Sequence, residues 1–250
     1  MIRDVRLEFR KMRRLRTLPI LAVLVVATAA LSSVSLFAGS ARASFDDEDA
    51  LPWAALMLSY TLMAAMTSPI VIAVLASRQT DIEHSGAGWN LAGSVGRSPG
   101  QLCRAKFVAL GLVLAPAVVL QTLLVIGLGA LAGIDVPIRV DAWAGYTALL
   151  ILVDLAFLGV HLWVSTVVEN QLVGVGIGVL GAFLAVFSLL VPGTISRFVP
   201  WGYYAVIAHA SQESGVLSFV HPPVAWVVGF LLLAAVLLTI ATRRLDRLER

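Results

Sequence analysis

The chain has 250 residues, of which 59% are hydrophobic and only 13% charged, and its net charge is +3. A soluble domain carries roughly 45–50% apolar and about 25% charged residues, so this chain has too little polar surface for a water-soluble fold. The single cysteine, Cys103, excludes an intramolecular disulfide framework.

Residues 2–16 come first. Ile2, Val5, Phe9 and Met12 recur at spacings of three and four, which gives one apolar helical face on a segment otherwise rich in Arg and Lys. The pattern predicts an amphipathic helix in the membrane interface, its basic face toward anionic headgroups.

Six apolar stretches follow, at about 17–38, 51–76, 107–132, 143–168, 172–191 and 223–241. Each has about the 20 residues needed to cross a hydrocarbon core of ~30 Å at 1.5 Å per residue. The first resembles a secretory signal, because Ala41-Arg42-Ala43 precedes Ser44. Signal cores usually run about 7–15 residues, and this run is long enough to span, so it is read as retained. Only Glu169, Asn170 and Gln171 separate the fourth and fifth stretches, which predicts a tight helical hairpin.

All but three of the 18 Lys and Arg residues fall before the first span, between the second and third spans or after the last span; the exceptions are Arg42, Arg139 and Arg197. The bias of basic residues toward the cytoplasm predicts cytoplasmic N- and C-termini and an even number of spans. The acidic run Asp46, Asp47, Glu48 and Asp49 lies on the predicted outer side. The expected fold is thus an all-α polytopic membrane protein with six transmembrane helices, forming a single domain over residues 1–250.

The loop 77–105 is the one sizeable cytoplasmic segment. Ser98-Pro99 suits a helix start, with Ser as cap and Pro in the first turn. The stretch from Asp81 to Trp89 predicts a short helix presenting Glu83 and Trp89 to a partner, or else a solvated connector with a membrane-anchoring Trp. Residues 192–222 carry Phe198, Trp201, Tyr203 and Tyr204 and are not hydrophilic. This predicts a re-entrant segment before the last helix, shielded by protein where it enters the core.

Within the spans, Asp154 and His161 stand seven apart on the fourth helix, two turns along one face. A carboxylate at that depth needs a partner or water. One reading is a proton relay; the other is an interhelical hydrogen bond with Gln121. The fifth span holds Gly174, Gly178 and Gly181, and the first two form a GxxxG pair that allows close helix contact. His209 and Glu213 stand four apart and would share a helix face, but no third ligand accompanies them, so no metal site is expected. No phosphate-binding P-loop, dinucleotide fingerprint, nucleophile elbow or HExxH pair occurs. No cofactor, catalytic residue or nucleic-acid partner is expected.

The arrangement resembles the membrane subunit of an ABC exporter of the ABC-2 type. Such permeases are similar in their six spans, the amphipathic helix before the first, the loop between the second and third, and the short re-entrant helices before the last. Glu83-His84-Ser85-Gly86-Ala87-Gly88-Trp89, followed by Ser98-Pro99 and Lys106, resembles the loop of smaller members such as lantibiotic-immunity and peptide-export permeases. The resemblance implies that Glu83, His84, Gly86 and Trp89 belong to the element that docks on an ATPase. It also implies two separate cytoplasmic ATPase subunits, a second permease (identical or paralogous), and export of an amphipathic peptide, lipid or drug-like molecule across a plasma membrane, a bacterial inner membrane. The contrasting expectations are a proton-coupled secondary transporter using Asp154, and a non-transporting immunity or scaffold protein.

Overall fold

The computed structural model describes residues 2–37, 42–86 and 88–247. Ala38 at the expected end of the first span, Ala41 of the signal look-alike, Ala87 of the loop motif and Arg250 of the tail lie outside the described residues.

Helix α1 (Ile2–Arg14) turns through 71° into α2 (Thr17–Ser32). Arg16 makes the elbow with left-handed backbone at φ 54°, a conformation uncommon outside glycine. The expected apolar face of α1 exists, and it is turned to the protein. Met12 is buried, and Val5 and Phe9 pack on the protein core, while Ile2 alone stands out at 89% exposure. The face therefore rests on α5 (Pro99–Ala132) rather than on lipid. The arginines Arg3, Arg6, Arg10, Arg13 and Arg14 form the exposed face. After α2 the chain makes a 3-10 turn at Val34–Phe37.

Helix α3 (Pro52–Ser85) has 34 residues, about 51 Å at 1.5 Å per residue. It runs past the expected end near residue 76, because nothing in residues 77–84 breaks a helix before Gly86. Helix α4 (Gly88–Ser94) is one short segment. Helix α5 begins where the sequence predicted: Ser98 Oγ accepts from Gln101 N at 3.2 Å, and Gln101 Oε1 accepts from Ser98 N at 3.4 Å. This reciprocal cap satisfies two otherwise orphaned N–H groups. Helices α6 (Val140–Val167) and α7 (Gln171–Ser188) form the expected hairpin, with Asn170 Oδ1 capping α7 through Leu172 N at 2.9 Å.

Residues 192–222 fold back on the protein. Helix α8 (Gly193–Ser196), a 3-10 turn at Pro200–Gly202 and α9 (Tyr203–Val206) pack along α7. Tyr204 and Ile207 are buried, as an irregular backbone beside a bilayer requires. Strands β1 (Ala210–Glu213) and β2 (Val216–Phe219) then form an antiparallel hairpin, pairing Ala210 with Phe219 and Glu213 with Val216. Ser214 and Gly215 both have positive φ, the geometry of a two-residue turn matched to strand twist. The expected helix shared by His209 and Glu213 is thus corrected: Glu213 ends β1, and His209 precedes it.

The last helix is α10 (Val224–Leu245). Five helices, α3, α5, α6, α7 and α10, are long and apolar enough to cross a membrane, and the bent α1–α2 pair makes a sixth. Helix α3 is the hub, packing on α2, α6 and α7. Within it, Tyr60 stacks on Trp143 and meets Tyr146 edge-on, at 6.3 and 5.4 Å between ring centroids. Helix α7 approaches α3 so closely that a Cβ at Gly178 would overlap Ala73 and lie 2.9 Å from the Pro69 carbonyl oxygen. At Gly181 a Cβ would overlap the Trp201 indole. Gly174 is not compressed, its nearest neighbour being Ser165 Oγ at 3.5 Å. The expected small-residue stripe therefore works within one chain, at Gly178 and Gly181.

Candidate functional site

Three elements far apart in sequence meet through charge at the end of the molecule that holds α1. Lys106 on α5 is wholly buried, and each of its three protons has an acceptor: Glu8 Oε2 at 2.9 Å, Gln79 O at 2.8 Å and Glu83 Oε2 at 2.7 Å. Lys11 joins from α1, donating to Glu8 Oε1 at 2.6 Å and to Glu83 Oε1. Gln79 Nε2 completes the set with Glu8 Oε2 at 2.8 Å. A buried ammonium is very costly alone and tolerable when paired and hydrogen-bonded. Here two carboxylates face two ammoniums, so the cluster is neutral, and it holds α1, α3 and α5 together.

Burial by itself would raise the Glu8 carboxyl, but Lys106 and Lys11 beside it outweigh burial and hold it below its ordinary 4.5. Burial would likewise lower Lys11, and Glu8 and Glu83 instead hold it above 10.5. A depressed carboxyl contributes stability above its unfolded value and loses it as pH falls through the folded one. A raised ammonium contributes below its unfolded value and loses it as pH rises through the folded one. We expect the cluster's own contribution to the thermal midpoint to be level from about pH 5 to pH 10. Below 4.5 it should fall, and E8Q should flatten that acid limb in a pH series of thermal unfolding.

The cluster corrects one expectation. Glu83 does not face outward to a partner; it lies on the inner side of α3, because Lys106 and Lys11 draw its carboxylate in. His84, the next residue, points the other way. Its Nδ1 accepts from Trp89 Nε1 at 3.2 Å, which leaves the proton on Nε2 to donate to the Ser165 carbonyl at 2.8 Å. The His84 and Trp89 rings meet edge-on at 5.5 Å. Gly86 ends α3 and lets the chain fold into α4. Beyond it, Leu91 on α4 is 70% exposed, and Val95, in the turn that follows α4, is 67% exposed. Sequence reasoning missed this pair, although two aliphatics at i and i+4 in a polar loop are its signal.

Arg97 reaches Asp4 at 2.7 Å and ties the α4–α5 connection to α1. At the start of α5, Asp246 accepts from Ser98 Oγ and from Arg104 at 3.0 Å. Burial would raise the Asp246 carboxyl, but these two donors keep it below its ordinary value. The foot of α10 is thereby clasped to the same end.

The intramembrane polar residues are arranged differently from expectation. Asp154 accepts from Tyr204 Oη at 2.8 Å and Ser68 Oγ at 3.4 Å. Gln121 does not bond Asp154; its Nε2 donates to Tyr60 Oη on α3 at 3.2 Å, and Tyr60 Oη lies 3.1 Å from Thr122 Oγ1. The two groups share only a cavity of about 20 Å3. His161 is buried two turns from Asp154, and neither ring nitrogen has a hydrogen-bond partner among the described residues.

No curated protein matches the sequence. Residues 5–185, from α1 almost to the end of α7, match the family model of the ABC-2 family transporter proteins. With five or six membrane-crossing helices and a match over most of its length, the chain is a multi-pass membrane permease and belongs to the ABC-2 transporter family.

Proposed function

We propose that this permease is the membrane part of an ATP-driven exporter whose ATP hydrolysis is done by separate subunits docking at the α1 end. The observation that carries the reading is α4 and the turn after it, which expose Leu91 and Val95, with Trp89 tied through His84 to Ser165 and α3 anchored by the buried cluster. Two exposed aliphatics on a rigid base suit a knob that fills a groove on a partner. The cluster joins α1, α3 and α5 into one unit, so a push on α4 would move these helices as a body.

In this reading Trp89, His84 and Gly86 shape the coupling element, while Glu83 anchors it from beneath. Both termini face the cytoplasm of a bacterial inner membrane, and a second permease, identical or paralogous, completes the pathway. The cargo is an amphipathic peptide, a lipid or a drug-like molecule. Asp154 is read as structural, since Tyr204 and Ser68 already satisfy both its oxygens.

The test is co-purification of the tagged full chain from its native host in mild detergent. A soluble P-loop ATPase should appear in about equal amount, and L91D/V95D should reduce it about tenfold or more, as expected when a buried hot spot is lost. Chain yield and elution volume should not change. Recovery of the same ATPase with the double variant would reject α4 as the dock. A preparation without any ATPase, made where other ABC complexes survive, would reject the exporter reading in favour of an immunity or scaffold protein.

A further inference from the structure

Helix α10 is poorly covered by protein. Of its 22 residues only Val227, Thr242 and Leu245 are buried. Between α10 and α6 runs a furrow with two connected chambers, which share Val160, Ala234 and Leu237. The chamber toward β1–β2 has a volume of about 680 Å3, and the one toward the charge cluster about 450 Å3. Phe157, Trp201, Tyr203, Trp226 and Phe230 wall the larger chamber, and Gly229 leaves its floor open.

Arg197 stands at the mouth of that chamber. Its guanidinium carbon lies 5.7 Å from the centre of the Trp226 ring. Its Nε is buried and has no hydrogen-bond acceptor, and no carboxylate among the described residues pairs with it. Glu213 lines a neighbouring cavity with Arg197 but makes no ion pair with it. A guanidinium held over an aromatic ring, with donors unfilled, is suited to a phosphate in bidentate geometry. The aromatic walls sit where Trp and Tyr favour the membrane–water boundary.

We propose that the outer chamber is a binding site for one anionic glycerophospholipid, its phosphate on Arg197 and an acyl chain between α6 and α10. Charge selects this occupant: a zwitterionic lipid brings the same phosphate with a choline cation beside it that repels the guanidinium, whereas an anionic lipid brings a net negative charge. The apolar walls exclude water as the filler, and an unfilled gap would forfeit the dispersion contacts of both helices. The volume falls in the usual range of ligand sites, about 300–1,000 Å3. The proposal does not depend on what the permease exports.

The test is native mass spectrometry of the full chain, released from mixed micelles holding equal phosphatidylglycerol and phosphatidylcholine. The wild-type chain should carry about one phosphatidylglycerol, preferred about tenfold over phosphatidylcholine, the scale of a charge-assisted contact. R197Q should abolish the preference. G229F should displace both lipids without disturbing the fold, since no atom lies within 4 Å of a Cβ there. R6Q/R10Q should leave the adduct intact. Equal retention of the two lipids by the wild type, an unchanged preference in R197Q, or loss in R6Q/R10Q would each overturn the proposal. So would disulfide cross-linking of L233C between two copies in native membranes, because a second chain would then occupy the furrow.

Discussion

Replacing Lys106 with Met is expected to cost about 3–5 kcal/mol, the usual penalty for removing one partner of a buried ion pair. The side chain fits by length, so the loss is electrostatic. Glu8 and Glu83 would remain buried with only Lys11 between them, and Glu83 Oε2 would lose its hydrogen-bond donor. One carboxyl must then take up a proton or move toward water, and α1 would part from α3 and α5. Thermal unfolding in detergent should show a large drop in midpoint, and proteolysis should cut first in residues 2–16. The double variant E83Q/K106M should recover most of the loss, because it leaves one carboxylate, Glu8, facing one ammonium, Lys11. If K106M alone unfolds like the wild type, the cluster does not hold these helices together.

Introducing Leu at Gly178 should cost about 3 kcal/mol, the upper end for overpacking. The obstacles are the Ala73 side chain and the Pro69 carbonyl oxygen, and the second is backbone that cannot rotate away. Helix α7 must then retreat from α3, which also lifts α8 and α9 from their seat. G174A is the matched control: its nearest atom is at 3.5 Å, ordinary van der Waals contact, so little change is expected. Thermal midpoints of the two variants measured side by side decide the matter. Equal midpoints would mean that the close approach of α7 to α3 is not a source of stability.

The spans were legible because the bilayer imposes a length on apolar runs, and Ser98-Pro99 marked the start of α5 because a cap must accept N–H bonds locally. Other features were less open to reading. Glu83 looked exposed in a polar loop, yet its partners Lys11 and Lys106 come from two other helices, and no local pattern encodes such a meeting. The apolar face of α1 was readable, but not what it faces, since protein and lipid present the same chemistry to Phe9 and Met12. Asp154 was singled out by its depth, while its partner Tyr204 lies in the irregular segment whose path depends on packing against α7. The hairpin had a local signal, the Ser214-Gly215 pair between two short runs, but the aromatic content of 192–222 directed attention to the membrane instead.

The charge cluster has one further result for the surface of the molecule. The chain contains only two lysines, Lys11 and Lys106, and the cluster engages both. The basic surface left to solvent is therefore carried by guanidinium groups, whose protons do not leave at any pH a cell reaches. Adhesion of this face to an acidic surface is insensitive to alkalinity, and acylation of lysines, which silences lysine-based patches, would find both of them already engaged in the cluster.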